Sequence, residues 1–282
     1  MCLAACLIVS FSLAAAPKPA AATAAKPGDL VDVAGKPFAW PTLVEHAKQA
    51  SIILIGESHL STCDHRMQRR ILDALVEGGI APAIGMEMIP VDQSAVLKAF
   101  NAGRIPPSAM DKALDWGETW GFPFPLYQPL FEAARRYQLP VVALNVPKMA
   151  AFLVARHAAQ PEDLRPKVFS AVPTIPPSPL QRKELEEEFL AHGGKLSDET
   201  DFEHFALVQA MWDTKMAMEA LRATQVLQRP VVIIAGAGHV ESLGIPYRLQ
   251  VLAQQLKVLA IQPWRGGPVP GNDADAYFYC PK

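Results

Sequence analysis

Five short apolar runs punctuate the chain: Ile52 to Ile55, Ala83 to Met86, Val141 to Leu144, Val231 to Ala235 and Val258 to Ile261. None alternates with polar residues. Runs this short and continuous predict strands covered on both faces, as in a parallel sheet. Asp29 to Trp40 predicts a hairpin ahead of them, and Ala276 to Tyr279 a last strand. Between the runs the period lengthens to that of helices. Met67, Ile71, Leu72, Leu75 and Val76 share one face and stop at Gly78-Gly79. Leu126, Leu130, Ala134 and Tyr137 share another. Pro246 suits a helix start, with Leu249, Leu252, Ala253 and Leu256 facing inward.

Residues 148–227 break the alternation. Met149 to Ala159 reads as a helix, Pro173 to Pro179 as a bend, Leu180 to His192 as a charged helix and Phe202 to Leu227 as a long helix. The pattern predicts an α/β fold, with a mostly parallel sheet flanked by helices and an inserted, small, all-helical subdomain. The α/β part takes residues 27–147 and 228–282, and the insertion takes 148–227. The first 26 residues stand apart. Cys2 to Ala16 is a short apolar run ending in small residues, and Pro17 to Lys26 reads as a tether. That arrangement fits a secretory signal better than a membrane span. Leu3-Ala4-Ala5-Cys6 also has the look of a lipoprotein cleavage site. A soluble periplasmic protein and an envelope-anchored one both remain open. Beyond the leader, Cys63 and Cys280 remain, and in an oxidising compartment they could pair.

Composition narrows the field. The chain has 282 residues, half of them hydrophobic and 19% charged, which excludes collagen-like and largely disordered classes. The formal net charge of −2 supplies no basic footprint, so nucleic acid is not an expected partner.

The chemistry gathers at strand ends. The first run leads into Gly56-Glu57-Ser58-His59, with Asp64-His65 just beyond. The second ends in Glu87, the third in Asn145 and the fourth in Gly236-Ala237-Gly238-His239. If these strands are parallel, all four ends open on one edge, where α/β sheets bind ligands. Glu57, His59, His65, Glu87, Asn145 and His239 are therefore expected to converge. Two imidazoles with carboxylates suit a divalent metal, with His59 and His239 as ligands, or acid–base chemistry with Glu57 or Glu87. In the two Gly-x-x-His copies, glycine is expected to permit a sharp turn that aims the imidazole into the crevice. Arg66, Arg69 and Arg70 read as a solvated helix face or an anion clamp. Trp116 to Pro129, rich in aromatics and proline, reads either as a rigid packing loop or as a wall for a flat ligand.

These motifs, together with Trp116…Trp120-Gly121, Tyr127-Gln128-Pro129, Ala143-Leu144-Asn145-Val146-Pro147, Gln209…Trp212-Asp213 and Gly244-Ile245-Pro246, resemble the ChaN-like haem-binding lipoproteins of the Tiki/erythromycin-esterase-like superfamily. The resemblance runs from about Ser51 to Tyr279. It implies haem as cofactor and a role in haem or iron uptake outside the bacterial inner membrane, with outer-membrane uptake machinery as a partner. It also implies a homodimer that sandwiches haems, a tyrosine iron ligand, and His and Lys near the propionates. Tyr127 lies in a family block; Tyr137, Tyr247, Tyr277 and Tyr279 are the other candidates. The superfamily also contains hydrolases. Gly56…His59 and Gly236…His239 resemble the Gly-x-x-His pair of Tiki-type metalloproteases, and Glu57, His59 and Glu87 resemble the erythromycin-esterase pattern. A metal-dependent hydrolase is the alternative function.

Overall fold

A computed structural model describes residues 25–156, 174–191, 193, 199–271 and 273–282. The leader up to residue 24, the end of the helix expected at Met149 to Ala159, and Pro173 lie outside them. In chain order the elements are β1 (Leu30–Asp32), α1 (Trp40–Gln49), β2 (Ile52–Glu57), α2 (Thr62–Glu77), β3 (Ala83–Pro90), α3 (Ser94–Asn101), α4 (Met110–Ala113), α5 (Trp116–Thr119), α6 (Phe124–Tyr137), β4 (Val141–Asn145), α7 (Lys148–Ala155), α8 (Pro179–Ala191), α9 (Glu199–Leu227), β5 (Val231–Gly236), α10 (Ala237–Val240), α11 (Ile245–Leu252), β6 (Val258–Trp264) and β7 (Ala276–Tyr279).

The strands form one sheet in the order β1-β7-β6-β2-β5-β3-β4. Every pairing is parallel except β1 with β7. The expected hairpin at Asp29 to Trp40 is reduced to a bridge between Val31 and Pro37, because β1 takes β7 as its main partner and Trp40 already opens α1. The continuous apolar runs have the predicted cause. Side chains of a strand alternate between faces, and here both faces are dry. Ile53, Ile55, Ile84, Met86, Val232 and Ile234 pack into one core with Leu43 of α1, Ile71 and Leu72 of α2 and Phe131 of α6. Ile52, Leu54, Val231 and Ile233 pack into the other with Met216, Ala217 and Ala220 of α9 and Leu249 of α11. Between β4 and β5, α7, α8 and α9 are the regular elements among the described residues, and α9 lies against β4 and α11. No helix among the described residues is long and apolar enough to cross a membrane.

Cys63, in the first turn of α2, is disulfide-bonded to Cys280, which follows β7; the two are 217 positions apart. The bond fastens the end of the chain to the helix that backs β2.

Candidate functional site

Strands β2, β3, β4 and β5 are parallel neighbours, so their C-terminal ends share one edge of the sheet. A cleft of about 480 Å³ opens there, within the roughly 300–1,000 Å³ usual for cofactor and small-molecule sites. Glu57, His59, Glu87, Asn145 and His239 line it together, as the strand-end argument expects. His65 and Tyr127 are not among its lining residues. Trp120 and Trp212 border it, and Lys148 stands exposed at its rim with Nζ donating to the Glu118 carbonyl (2.5 Å).

The site consists of two histidine–carboxylate pairs on either side of a third carboxylate. In the first pair, His59 Nδ1 donates to Glu57 Oε1 at 2.9 Å. Glu57 is buried and saturated: the Tyr127 hydroxyl donates to the same oxygen (2.6 Å), and Gln68 Nε2 donates to Oε2 (2.7 Å). In the second pair, His239 Nδ1 donates to Asp213 Oδ1 at 2.6 Å, and Asp213 is buried on α9. Glu87 lies between the pairs. Its Oε2 accepts the Gly236 N–H (2.6 Å), and its Oε1 is 3.4 Å from His239 Nε2. Among the described residues His59 Nε2 has no protein hydrogen-bond partner, so this ring nitrogen is the one left for a ligand. A carboxylate on Nδ1 fixes the tautomer and raises the basicity of the other nitrogen.

The electrostatics follow. Burial pulls the His59 imidazole down, but the Glu57 hydrogen bond and the Glu87 charge outweigh it, and the net shift is upward. For His239, burial again opposes the charged form. Glu87 and Asp213 prevail and hold it well above the ordinary histidine range. Burial pushes Glu87 up, while His239, His59 and the Gly236 N–H pull it further down, so it stays ionised. Glu87 thus favours the charged form of both imidazoles, whereas His239 opposes charge on His59.

Several sequence expectations change. Tyr127 was a candidate iron ligand, yet it is fully buried, with its hydroxyl on Glu57 and within 3.1 Å of Trp120 Nε1. Burial and the Glu57 carboxylate drive its ionisation far above the ordinary range, so it serves as a neutral donor. Tyr137, Tyr247, Tyr277 and Tyr279 do not line the cleft either. Asn145 is spent on the backbone: its Nδ2 donates to the Glu87 carbonyl (3.0 Å) and its Oδ1 accepts the Val146 N–H (2.8 Å). His65 is buried behind the site, with Nε2 facing the His59 carbonyl oxygen (3.1 Å) and Nδ1 facing Gln68 Oε1 (3.1 Å) and Glu57 Oε2 (3.2 Å). Among the described residues no group of three or more His, Cys, Asp or Glu is placed to hold a metal ion. The glycines matter for proximity rather than for turning. Gly56 lies next to last in β2 and Gly236 last in β5, both without positive φ. A Cβ on Gly236 would meet His59 Cε1 at 2.9 Å, and one on Gly56 would meet the Gln262 amide. In the arginine cluster, Arg69 is taken by Asp73 and the Pro129 carbonyl, Arg70 lies over the Trp40 ring, and Arg66 is exposed on the helix face. The aromatic block packs over the sheet as a loop and also reaches the edge of the cleft at Trp120. Trp116, Phe124 and Tyr127 enter the core, while Trp120 and Phe122 lie 4.9 and 4.7 Å from the His59 ring.

Residues that the strand-end argument passes over complete the site. Asp213 belongs to a helix between strands, and its signal is an acid that directly follows the apolar Ala210-Met211-Trp212. Gln68 and Arg248 sit on inner faces of α2 and α11, where polar residues call for a partner. Arg248 is fully buried, 3.4 Å from Asp213 Oδ2, and donates to Gln181 and to the Leu243 carbonyl.

The sequence matches the family described as haem-binding uptake, Tiki superfamily, ChaN, over residues 43–249, more than half of the chain. The chain belongs to that family. Its fold is that of the solved ChaN of Campylobacter jejuni, a structure described as cofacial heme binding. The likeness covers 89% of this chain and 95% of that one, with a TM-score of 0.72 and 19% identity. The type III effector HopBA1 (TM-score 0.49, 15% identity, 86% of this chain and 93% of that one) and the erythromycin esterase EreC in its open conformation (0.47, 14%, 83% and 76%) are more distant. No curated protein matches the sequence. Membership in the ChaN family supports a haem-binding role, and the cleft lies within the matched span, since its lining residues run from Glu57 to His239.

Proposed function

We propose that the chain receives, stores or hands on haem in the bacterial cell envelope. The family match carries this reading. The cleft suits a flat, partly apolar ligand with a carboxylate at its edge: Trp120 and Trp212 flank it, and Lys148 offers an ammonium at the rim. It offers no phenol to iron. The donor that fits is the imidazole of His59, whose Nε2 is free and whose Nδ1 is tied to Glu57. When bound, haem supplies a redox-active iron. The chain's own part is to orient His59, to keep its proton on Nδ1 and to shield the ligand from water.

The apolar leader, the Ala/Pro tether and the Cys63–Cys280 disulfide support a location outside the cytoplasm. A homodimer that brings two haems face to face fits the exposed apolar side chains beside the cleft, Leu60 next to His59 and Met149 and Phe152 on α7. Outer-membrane haem-uptake machinery is the partner this role calls for. A hemin titration of His59→Ala and Lys148→Ala tests the assignment. His59→Ala is expected to change the iron spectrum and Lys148→Ala to weaken binding with an unchanged spectrum. Wild-type spectra and affinity in both variants would refute it.

One observation favours a second reading. Two histidine–carboxylate pairs around Glu87 form an acid–base arrangement, which suits hydrolysis. In that case Glu87 or His59 activates water, and the purified protein carries stoichiometric metal or cleaves esters. A metal-free chain without esterase activity would exclude it.

A further inference from the structure

The turn that presents His59 is built from three exposed or half-exposed residues, yet three side chains in the first two turns of α2 hold it from behind. Asp64 accepts the Ser58 N–H (2.8 Å), His65 faces the His59 carbonyl, and Gln68 holds Glu57. Asp64 is fully buried. A buried carboxylate keeps its charge and its direction only with a partner. That partner comes from the far end of the chain: Arg265, just past β6, donates through Nη1 to Asp64 Oδ1 (2.7 Å) and through Nη2 to Oδ2 (2.5 Å). Nη2 also donates to Ser58 Oγ (2.8 Å), and Nη1 to the Cys280 carbonyl (3.2 Å). The guanidinium therefore grips the turn directly at Ser58 and indirectly through Asp64. The neighbouring Cys63–Cys280 bond joins the same two segments.

We infer that Arg265 is a positioning residue of the cleft, which sets the Ser58–His59 turn through the buried Asp64 and the Ser58 hydroxyl. Lysine cannot replace it fully, because only the planar fork meets both carboxylate oxygens and the hydroxyl at once. The effect on ligand binding rests on the haem reading; the effect on the turn does not.

The test is hydrogen exchange of the full, oxidised chain, read at the Ser58 and His59 amides, with hemin affinity measured in parallel. Arg265→Gln is expected to speed exchange at Ser58 by about tenfold or more and to weaken hemin binding by a similar factor. Arg265→Lys is expected to restore part of both. Asp64→Asn combined with Arg265→Gln is expected to add little to either alone, as for residues in one network. Leu43→Ala, a buried change on α1 away from the cleft, controls for lost stability. Ser58 exchange as in the wild type, or no faster than in Leu43→Ala, would overturn the inference. If the wild type does not take up hemin, the haem reading fails while the exchange result still decides the role of Arg265.

Discussion

Tyr127→Phe separates two roles for this residue. The change removes only a hydroxyl, and the ring keeps its place between His65 and Trp116. Two bonds are lost. The first is a 2.6 Å bond donated to the buried Glu57 carboxylate, and the second is a 3.1 Å bond accepted from Trp120 Nε1. A hydrogen bond to a charged group contributes about 1.5–3 kcal/mol. Glu57 keeps Gln68 and His59 as donors, and the half-buried Trp120 can reach water, so neither partner is left orphaned. The expected cost is therefore in the lower part of that range, about 2 kcal/mol. At about 2–4 °C per kcal/mol for a chain of this size, Tm falls by about 4–8 °C. Urea denaturation and calorimetry measure the cost, and a hemin spectrum of the same variant is the control. The bound-haem spectrum is expected to keep its form, because Tyr127 touches Glu57 rather than iron. A variant of wild-type stability whose iron spectrum changes would refute the reasoning and make Tyr127 the ligand.

Further expectations concern the frame around the site. Replacing Cys63 and Cys280 by alanine should cost about 2–5 kcal/mol, near the upper end because the closed loop is long; denaturation midpoints with and without reductant measure it. Gly236→Ala should weaken hemin binding and cost about 1–3 kcal/mol, since the added methyl meets His59 at 2.9 Å on a strand-end backbone that alanine otherwise accepts. Stability should depend on pH with two limbs. His239, raised in the folded state, stabilises fully below about 6.5, the ordinary histidine value, and that contribution is lost as pH climbs through its raised folded value. Glu87, lowered in the folded state, stabilises above about 4.3, the ordinary value for glutamate, and is lost as pH falls through its depressed value. Urea midpoints across pH should flatten on both limbs in Glu87→Gln; unchanged limbs would show that the triad is not coupled as described.

Much of this was readable before the structure. Runs such as Ile52 to Ile55 and Val231 to Ala235 have no polar side, and only a strand covered on both faces accommodates that. Parallel neighbours then place Glu57, Glu87 and His239 together from opposite ends of the chain. What stayed hidden is what each side chain faces. Tyr127 is a ligand candidate because it lies in a family block and Asn145 because it ends a strand at the shared edge, yet one is spent on Glu57 and the other on backbone. Asp213, Gln68, Arg248 and Arg265 come from helices and a late loop with no strand-end signature. Their roles arise from tertiary partners: Arg265 meets Asp64 across 201 positions. The glycines of the two Gly-x-x-His copies were read as turn formers, but the reason for them is the close approach of His59 and Gln262, which needs the neighbouring strand to be known.

The measurement that bears most directly on the central claim is an equilibrium hemin titration of the purified wild-type chain, followed through the Soret region. The account predicts saturation at a fixed stoichiometry, with a spectrum of nitrogenous rather than phenolate ligation that is lost in His59→Ala. Featureless, non-saturating absorbance would contradict haem carriage and leave the Glu57, His59, Glu87, His239 and Asp213 set to acid–base chemistry.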